Sequence, residues 1–230
     1  MGTPASTRHE ALERVYVWEL PVRLTHWALF FCIIVLSATG YYIGHPFINV
    51  PGAARDHFVM GTVRAIHFYA AAVFTASLLV RFYWWFVGNS YARFTEFIPL
   101  SARRFKSLWH EMMFYSFLRR DPEEYPGHNA LAAASYAMIY AVYVLLIVTG
   151  LALYSVGTSV NSPFRVFEAL IPWLYGLPMA RLIHHVAMWI VLIFVVLHIY
   201  FVTLSALIER VGTFDSIFSG YKFYRPEDGK

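Results

Sequence analysis

Four of the ten histidines lie in apolar segments at spacings that suit metal coordination. His184 and His198 are 14 residues apart, which is nearly four turns of an α-helix and about 21 Å along its axis. Both imidazoles therefore face the same side of one helix. His185 is 13 residues from His198, so it is rotated by about 140° from that side. The spacing favours His184 over His185 as the second ligand on this helix.

Two more histidines match these in depth if the chain crosses a membrane four times. His26 begins the first apolar segment on the side where His198 ends the fourth, so these two lie at one level. His67 and His184 begin the second and fourth segments at the opposite level. Two imidazole pairs supplied by three helices suit two heme groups, each with two axial histidines. Four buried imidazoles without such partners would be costly.

The elements that must position these histidines are apolar segments of about 20 residues or more, which as helices can cross about 30 Å of hydrocarbon. The chain has 230 residues, of which 59% are hydrophobic and only 14% charged, too apolar for an ordinary soluble domain. We therefore predict an all-α fold, in which residues 1–230 form one membrane-embedded four-helix bundle. Its spans are 24–44, 63–87, 130–155 and 181–208.

Lysine and arginine are concentrated before the first span, between the second and third, and after the fourth. By the positive-inside rule, this distribution predicts that both termini and the second connection are cytoplasmic. Residues of about 101–119 in that connection alternate apolar and basic side chains at helical spacing, which predicts a helix lying in the membrane interface. The basic residues form no continuous stripe, so we expect membrane lipid and not nucleic acid as a partner.

Residues near the histidines also suit heme. Arg23, Arg64 and Arg181 each precede a candidate ligand by three residues, where a guanidinium can bond a heme propionate. Snorkelling of cationic side chains at span ends is the alternative. Gly40 and Gly150 each follow a threonine at similar outer depths, where a missing side chain would let a porphyrin approach the backbone. Close helix packing is the alternative there.

Other chemistries fit this pattern less well. A zinc site gathers three or four ligands at one level, and a proton relay would more naturally include Asp or Glu inside the spans. The lone cysteine, Cys32, excludes a disulfide framework and covalent heme attachment. A transporter would show a duplicated half and broken helices. A heme-free membrane anchor stays open as a rival, and the absorption spectrum separates it from a cytochrome.

Five stretches resemble the cytochrome b subunit of membrane-bound nickel-iron uptake hydrogenases, which is related to the formate dehydrogenase gamma subunit. They are WELPVRLTHW at 18–27, ATGYYIG at 38–44, RAIHF at 64–68, GHN at 127–129, and the segment from 184 to HIY at 198–200. The resemblance covers nearly the whole chain. It implies His26 with His198 as the ligands of an inner heme, and His67 with His184 as those of an outer heme.

The resemblance also implies a function. Hydrogen would be oxidised on the periplasmic face by a nickel-iron large subunit and an iron-sulfur small subunit, and two heme b groups would carry the electrons across the bacterial cytoplasmic (inner) membrane. A quinone, menaquinone or ubiquinone, would accept them near Asn129, although this amide could instead cap a helix. His110 and His128 lie nearby with open roles. Formate dehydrogenase or another periplasmic dehydrogenase is the alternative electron donor.

Overall fold

Four long helices form the body of the protein, and in the described residues all four are long and apolar enough to cross a membrane. The computed structural model describes residues 13–48, 57–94, 102–116, 118, 130–209 and 212–224. The predicted all-α class with four candidate spans is confirmed. The elements in chain order are β1 (Glu13–Tyr16), α1 (Leu20–Gly44), α2 (Val59–Val87), α3 (Ala102–Tyr115), α4 (Ala130–Ser155), a 3-10 helix (Pro163–Leu170), α5 (Leu177–Glu209), α6 (Thr213–Ser219) and β2 (Tyr221–Tyr224).

Three of the long helices begin before the apolar segments predicted from the sequence. Helix α1 begins at Leu20 rather than 24, α2 at Val59 rather than 63, and α5 at Leu177 rather than 181. An arginine lies in the first two turns of each helix, and a charged side chain near a helix end does not interrupt backbone hydrogen bonding. Hydropathy therefore marks the lipid-facing length, and the helix itself is longer.

The apolar core lies between the two levels of histidines. All four long helices contribute to it, and its buried members cluster at mid-height of the bundle. Phe74 on α2 meets Tyr143 on α4 edge to face, with ring centroids 5.1 Å apart. This packing leaves polar groups and histidines above and below the core. The buried residues of the core are Leu29, Cys32, Ile33, Phe74, Leu78, Ile139, Tyr143 and Val191.

The helices pack as two antiparallel pairs, α1 with α2 and α4 with α5, whereas α1 meets α5 at few positions. Aromatic contacts join the pairs, including Phe68 on α2 against Tyr154 on α4 at 4.7 Å between centroids. The outer histidines lie within these pairs, since His67 faces α1 and His184 faces α4.

A clamp of short elements, which the sequence did not predict, closes one end of the bundle. Strand β1 pairs antiparallel with β2, and α6 precedes β2. The Trp18 indole donates to Ser216 Oγ at 3.1 Å, and the Val17 amide donates to the Gly220 carbonyl at 2.8 Å. Glu19 Oε2 accepts from the Trp84 indole at 2.8 Å, which ties the clamp to α2. The two ends of the described chain therefore lie on the same side.

Helix α3 packs against the ends of α4 and α5. Glu111 and Phe114 are buried, whereas Trp109 is exposed, so one face of the helix meets the bundle. A carboxylate oxygen of Glu111 accepts from the Leu131 amide at 3.3 Å, in the first turn of α4. A negative charge is favourable there because the helix dipole is positive at its N-terminus. Tyr115 meets Phe201 of α5 with ring centroids 4.8 Å apart.

The connection between α4 and α5 is apolar and exposed. Ser162 caps its 3-10 helix by accepting from the Phe164 amide at 3.3 Å. Beyond that helix the side chains of Trp173 and Tyr175 are 83% and 86% exposed. Tyr175 has a φ of 58°, a left-handed conformation that is uncommon for a residue with a side chain. Large aromatic groups in this position are typical of a membrane interface or a covered protein surface.

Candidate heme-binding site

One histidine pair is assembled between α1 and α5. The ring centroids of His26 and His198 are 6.2 Å apart, with an angle of 53° between the ring planes. Two imidazoles on opposite sides of one metal ion have centroids about 6 Å apart, because each metal–nitrogen bond is about 2 Å and each nitrogen lies about 1 Å from its ring centre. The structure therefore brings these two predicted ligands to a separation that fits a shared iron.

The two rings of this pair are held by different contacts. Tyr136 OH lies 3.5 Å from His198 Nδ1, and the Phe194 ring stacks on His198 with 5.6 Å between centroids. The His26 ring packs edge to face against Trp27 at 5.3 Å. Its Nδ1 is buried and has no hydrogen-bond partner among the described residues. His198 is therefore oriented by a polar contact, whereas packing alone orients His26.

His67 on α2 is oriented by a threonine of α1. Thr39 Oγ1 lies 2.9 Å from His67 Nδ1, and the same hydroxyl lies 2.6 Å from the Val35 carbonyl. Because the hydroxyl proton is directed at the carbonyl, the oxygen accepts from Nδ1–H of the histidine. This arrangement leaves Nε2 of His67 as the nitrogen available to a metal, as in many histidine ligands whose second nitrogen donates to the protein.

His184 on α5 repeats the same arrangement with α4. Thr149 Oγ1 lies 2.8 Å from His184 Nδ1 and 2.7 Å from the Leu145 carbonyl. Nε2 of His184 is therefore the nitrogen left available. His67 is one of the ionisable groups close enough to His184 to act on it electrostatically. The two outer histidines are thus held by matching threonine contacts, one from α1 and one from α4.

Gly40 and Gly150 make room for these two rings. A Cβ atom on Gly40 would lie 3.2 Å from His67 Cε1, and one on Gly150 would lie 3.3 Å from His184 Cε1. Both distances are tighter than ordinary van der Waals contact. The nearest groups are imidazoles, so the space that the sequence suggested for a porphyrin face or for close helix packing is used by the predicted ligands.

His185 lies in different surroundings from its neighbour His184. Its ring is 5.6 Å from the ring of His45 and 6.4 Å from Trp189, and it lies beside Gly44 of α1. The two adjacent histidines therefore face different helices, as expected from the helical rotation between consecutive residues.

The three arginines predicted to meet propionates differ in their contacts. Arg64 and Arg181 are exposed and make no hydrogen bond or ion pair within the described ranges. Arg23 donates to the Phe218 carbonyl in α6, while its Nε is buried without a partner among the described residues. Arg64 and Arg181 therefore remain available to an anionic group, and Arg23 also fixes the clamp.

Some sequence-predicted residues cannot be placed and others were missed. Asn129 and His128 lie outside the described residues, and His110 is partly buried on α3. Sequence reasoning did not single out Arg81, which is buried in α2, or Tyr136, which meets His198. A signal for Arg81 was present, since an arginine within a predicted span is unusual. Nothing in the sequence separated Tyr136 from the other fifteen tyrosines.

The donor set fits heme better than a small metal ion. No group of three or more His, Cys, Asp or Glu side chains within the described part of the chain could hold a metal. His26 and His198 instead meet as a pair, and all four candidate rings are partly buried. Two imidazoles complete the coordination of a heme iron, because the porphyrin supplies four of its six ligands. Zinc would need three or four protein ligands.

Comparisons with known proteins identify the family to which the chain belongs. The profile of the prokaryotic cytochrome b561 family matches residues 17–220. The chain is 38% identical over 228 residues to a probable Ni/Fe-hydrogenase B-type cytochrome subunit of Rhizobium leguminosarum bv. viciae, covering 95% of this chain and 94% of the relative. It is 40% identical over 217 residues to the corresponding protein of Bradyrhizobium diazoefficiens, covering 92% and 87%.

A third relative is the probable Ni/Fe-hydrogenase 1 B-type cytochrome subunit of Escherichia coli (strain K12), 36% identical over 214 residues and 91% of each chain. The family match covers residues 17–220, which include all four long helices. The chain therefore belongs to the prokaryotic cytochrome b561 family.

Proposed function

We propose that this chain is the di-heme b-type cytochrome subunit of a nickel-iron hydrogenase, which it anchors to the bacterial cytoplasmic membrane. In this role it transfers electrons from hydrogen oxidation to the quinone pool. The observation that carries the proposal is the pairing of His26 with His198 at one level, together with the matching threonine contacts that hold His67 and His184 at the other. The names of the relatives support the link to a hydrogenase.

Heme bound by these histidines would supply one-electron oxidation and reduction, which needs no catalytic nucleophile. The chain's own residues hold and space the two groups. His184 and His198 lie on one helix, so α5 fixes the separation of the two levels at about 21 Å. Thr39 and Thr149 keep the outer histidines in the tautomer whose Nε2 is available. Arg64 and Arg181 are available to bond propionates.

We propose that the α4–α5 connection is periplasmic and meets the iron-sulfur small subunit, whose partner is the nickel-iron large subunit. Its exposed Trp173 and Tyr175 support a covered surface. The side with the β1–β2 clamp is cytoplasmic in this proposal, and a quinone, menaquinone or ubiquinone, is reduced there near the inner heme. Asn129 stays the proposed quinone contact.

Heme quantitation tests the two proposed ligand pairs. The purified wild-type complex should contain two heme b groups per copy of this chain by pyridine hemochrome assay. His67→Ala and His184→Ala should each leave one, because an axial ligand of the outer heme is lost. His185→Ala is the matched control, since this neighbour faces Gly44 and His45 of α1, and it should retain two. Two hemes in His67→Ala, or one in His185→Ala, would refute the pairing.

A second assay tests the electron donor and acceptor. Membranes that contain the complex should reduce added quinone with hydrogen, and His67→Ala should abolish this transfer while hydrogen oxidation with an artificial dye persists. Reduction by formate and not by hydrogen would instead identify a formate dehydrogenase subunit. A colourless preparation would support a heme-free anchor.

A further inference from the structure

A buried arginine lies on the same side of the core as the inner histidine pair. Arg81 is on α2, six residues before the end of the helix, and only 4% of its surface is exposed. Its Nε donates to Tyr140 OH at 3.2 Å, and a terminal nitrogen lies 3.4 Å from the Ala92 carbonyl. A buried cation in a membrane span is costly and commonly has a function.

The arginine is connected to an inner ligand through two tyrosines. Tyr140 and Tyr136 lie one turn apart on α4, and Tyr136 OH lies 3.5 Å from His198 Nδ1. Both Arg81 and Tyr140 are close enough to Tyr136 to act on it electrostatically. Arg81 therefore contacts Tyr140, Tyr136 contacts His198, and the two phenols lie one helical turn apart on the same helix. We call Arg81, Tyr140, Tyr136 and His198 the inner series.

The outer level has different surroundings. Its two histidines each donate to a threonine oxygen, at 2.9 Å from Thr39 and 2.8 Å from Thr149. A hydrogen bond of this kind makes the imidazole a stronger donor to iron, which favours the oxidised state. At the inner level His198 has a longer contact with Tyr136, and His26 Nδ1 has no described partner. Arg81 is the one arginine that is buried in the described part of the chain.

We propose that Arg81, held by Tyr140, makes the inner heme easier to reduce than the outer heme, whereas Tyr136, which orients His198, acts in the opposite direction by accepting from its Nδ1–H. The inference rests on the proposed di-heme function. A buried positive charge stabilises an added electron, since the interior screens it weakly. At the outer level, the threonine hydrogen bonds favour the oxidised iron, so they make the outer heme harder to reduce. This chain's own residues thus give electron flow an inward direction.

Spectroelectrochemical titration of the two hemes in the purified complex tests this inference, and His67→Ala, which keeps only the inner heme, assigns the two transitions. Arg81→Gln should lower the inner midpoint potential, so that the ratio of reduced to oxidised inner heme falls about tenfold at a fixed applied potential. Tyr140→Phe should move it in the same direction, by about threefold. Neither variant should move the outer transition.

Tyr136→Phe is the decisive variant because it should act with the opposite sign. It removes the oxygen that accepts from His198 Nδ1, so the inner heme should become easier to reduce. General loosening of the site would let water in and would not give opposite signs at the same heme. Thr149→Val is the matched control: it removes the same kind of acceptor from His184, and it should raise the outer potential and leave the inner one unchanged.

The inference would be overturned if the midpoint potential of the inner heme were unchanged in both Tyr140→Phe and Tyr136→Phe, or shifted with the same sign in both. It would also be overturned if these variants shifted the midpoint potential of the outer heme instead. If Arg81→Gln fails to assemble, the two tyrosine variants decide. Failure of the di-heme proposal is separate, because it would appear as a heme count other than two in the wild type.

Discussion

At the residue scale, the outer histidines depend on a two-residue motif, threonine followed by glycine, that occurs in both helix pairs. The threonine hydroxyl donates to its own helix and accepts from the imidazole, while the glycine leaves space for the ring. In α1 the motif is Thr39 and Gly40, and in α4 it is Thr149 and Gly150. The threonine sets the tautomer of the histidine, and the glycine sets how closely the imidazole ring approaches the neighbouring helix.

The glycines should not tolerate even one methyl group. In Gly40→Ala or Gly150→Ala the new Cβ would lie 3.2 or 3.3 Å from a ligand ring, so the imidazole must shift by a few tenths of an ångström. We expect lower occupancy of the outer heme in either variant, measured by pyridine hemochrome assay. Gly44→Ala is the control, because its Cβ would lie at an ordinary 3.8 Å from His185. Full occupancy in both test variants would show that the rings have room to move.

The threonines should act through their oxygen and not through their shape. Thr39→Val keeps the volume but removes the acceptor for His67 Nδ1–H, so the donor is left unsatisfied at a cost of about 1–3 kcal/mol. We expect a lower midpoint for heat-induced loss of the outer heme, followed by its absorption. Thr39→Ser keeps the oxygen and should restore most of the difference. If serine were no better than valine, the hydrogen bond would not be what holds the ring.

At the element scale, each long helix carries an apolar middle and polar groups near its ends. The middle packs into the common core, which fixes the helices relative to one another. Helix α5 contributes to both histidine levels, so its straight length of about four turns between His184 and His198 sets their separation. The short clamp of β1, α6 and β2 also positions a histidine. It fixes the start of α1 near His26 through the contact of Arg23 with Phe218.

Gly220 is the position on which the clamp depends. Its φ is 89°, and a Cβ there would lie 2.6 Å from the Tyr16 ring and 2.8 Å from the Trp18 carbonyl. Gly220→Ala should therefore destabilise the protein by about 2 kcal/mol or more, measured as a lower thermal midpoint in detergent. Gly157→Ala is the control, because it has no positive φ and its Cβ would lie 3.7 Å from its one neighbour. Equal thermal midpoints for Gly220→Ala and the wild type would mean that the clamp does not contribute to stability.

At the scale of the whole molecule, the side of the bundle with most of the lysine and arginine residues should be the side that carries the clamp. Strand pairing brings the first and last described elements to one side, and α3 begins from the connection on that side. The charge distribution predicts that this side is cytoplasmic. The exposed Trp173 and Tyr175 lie in the connection at the other side.

Cysteine labelling can measure this orientation because the one native cysteine, Cys32, is buried. A membrane-impermeant maleimide should label Trp173→Cys in cells that lack the hydrogenase subunits and whose outer membrane is opened. It should label Leu118→Cys, which replaces a 69% exposed side chain, only after the inner membrane is disrupted. The unmodified chain is the control and should stay unlabelled. The reverse pattern would invert the proposed orientation.

The sequence by itself determined the fold class, the four long apolar helices to within a few residues at their starts, and the different directions in which His184 and His185 face. These follow from local periodicity, since burial in lipid demands long apolar helices and a helix fixes the angle between its own residues. Only the tertiary structure decided which groups meet across helices. Thr39 against His67, Tyr136 against His198, and Arg81 against Tyr140 join residues 28, 62 and 59 positions apart. Such contacts depend on how the helices rotate and pack against one another, which the spacing along one helix does not specify.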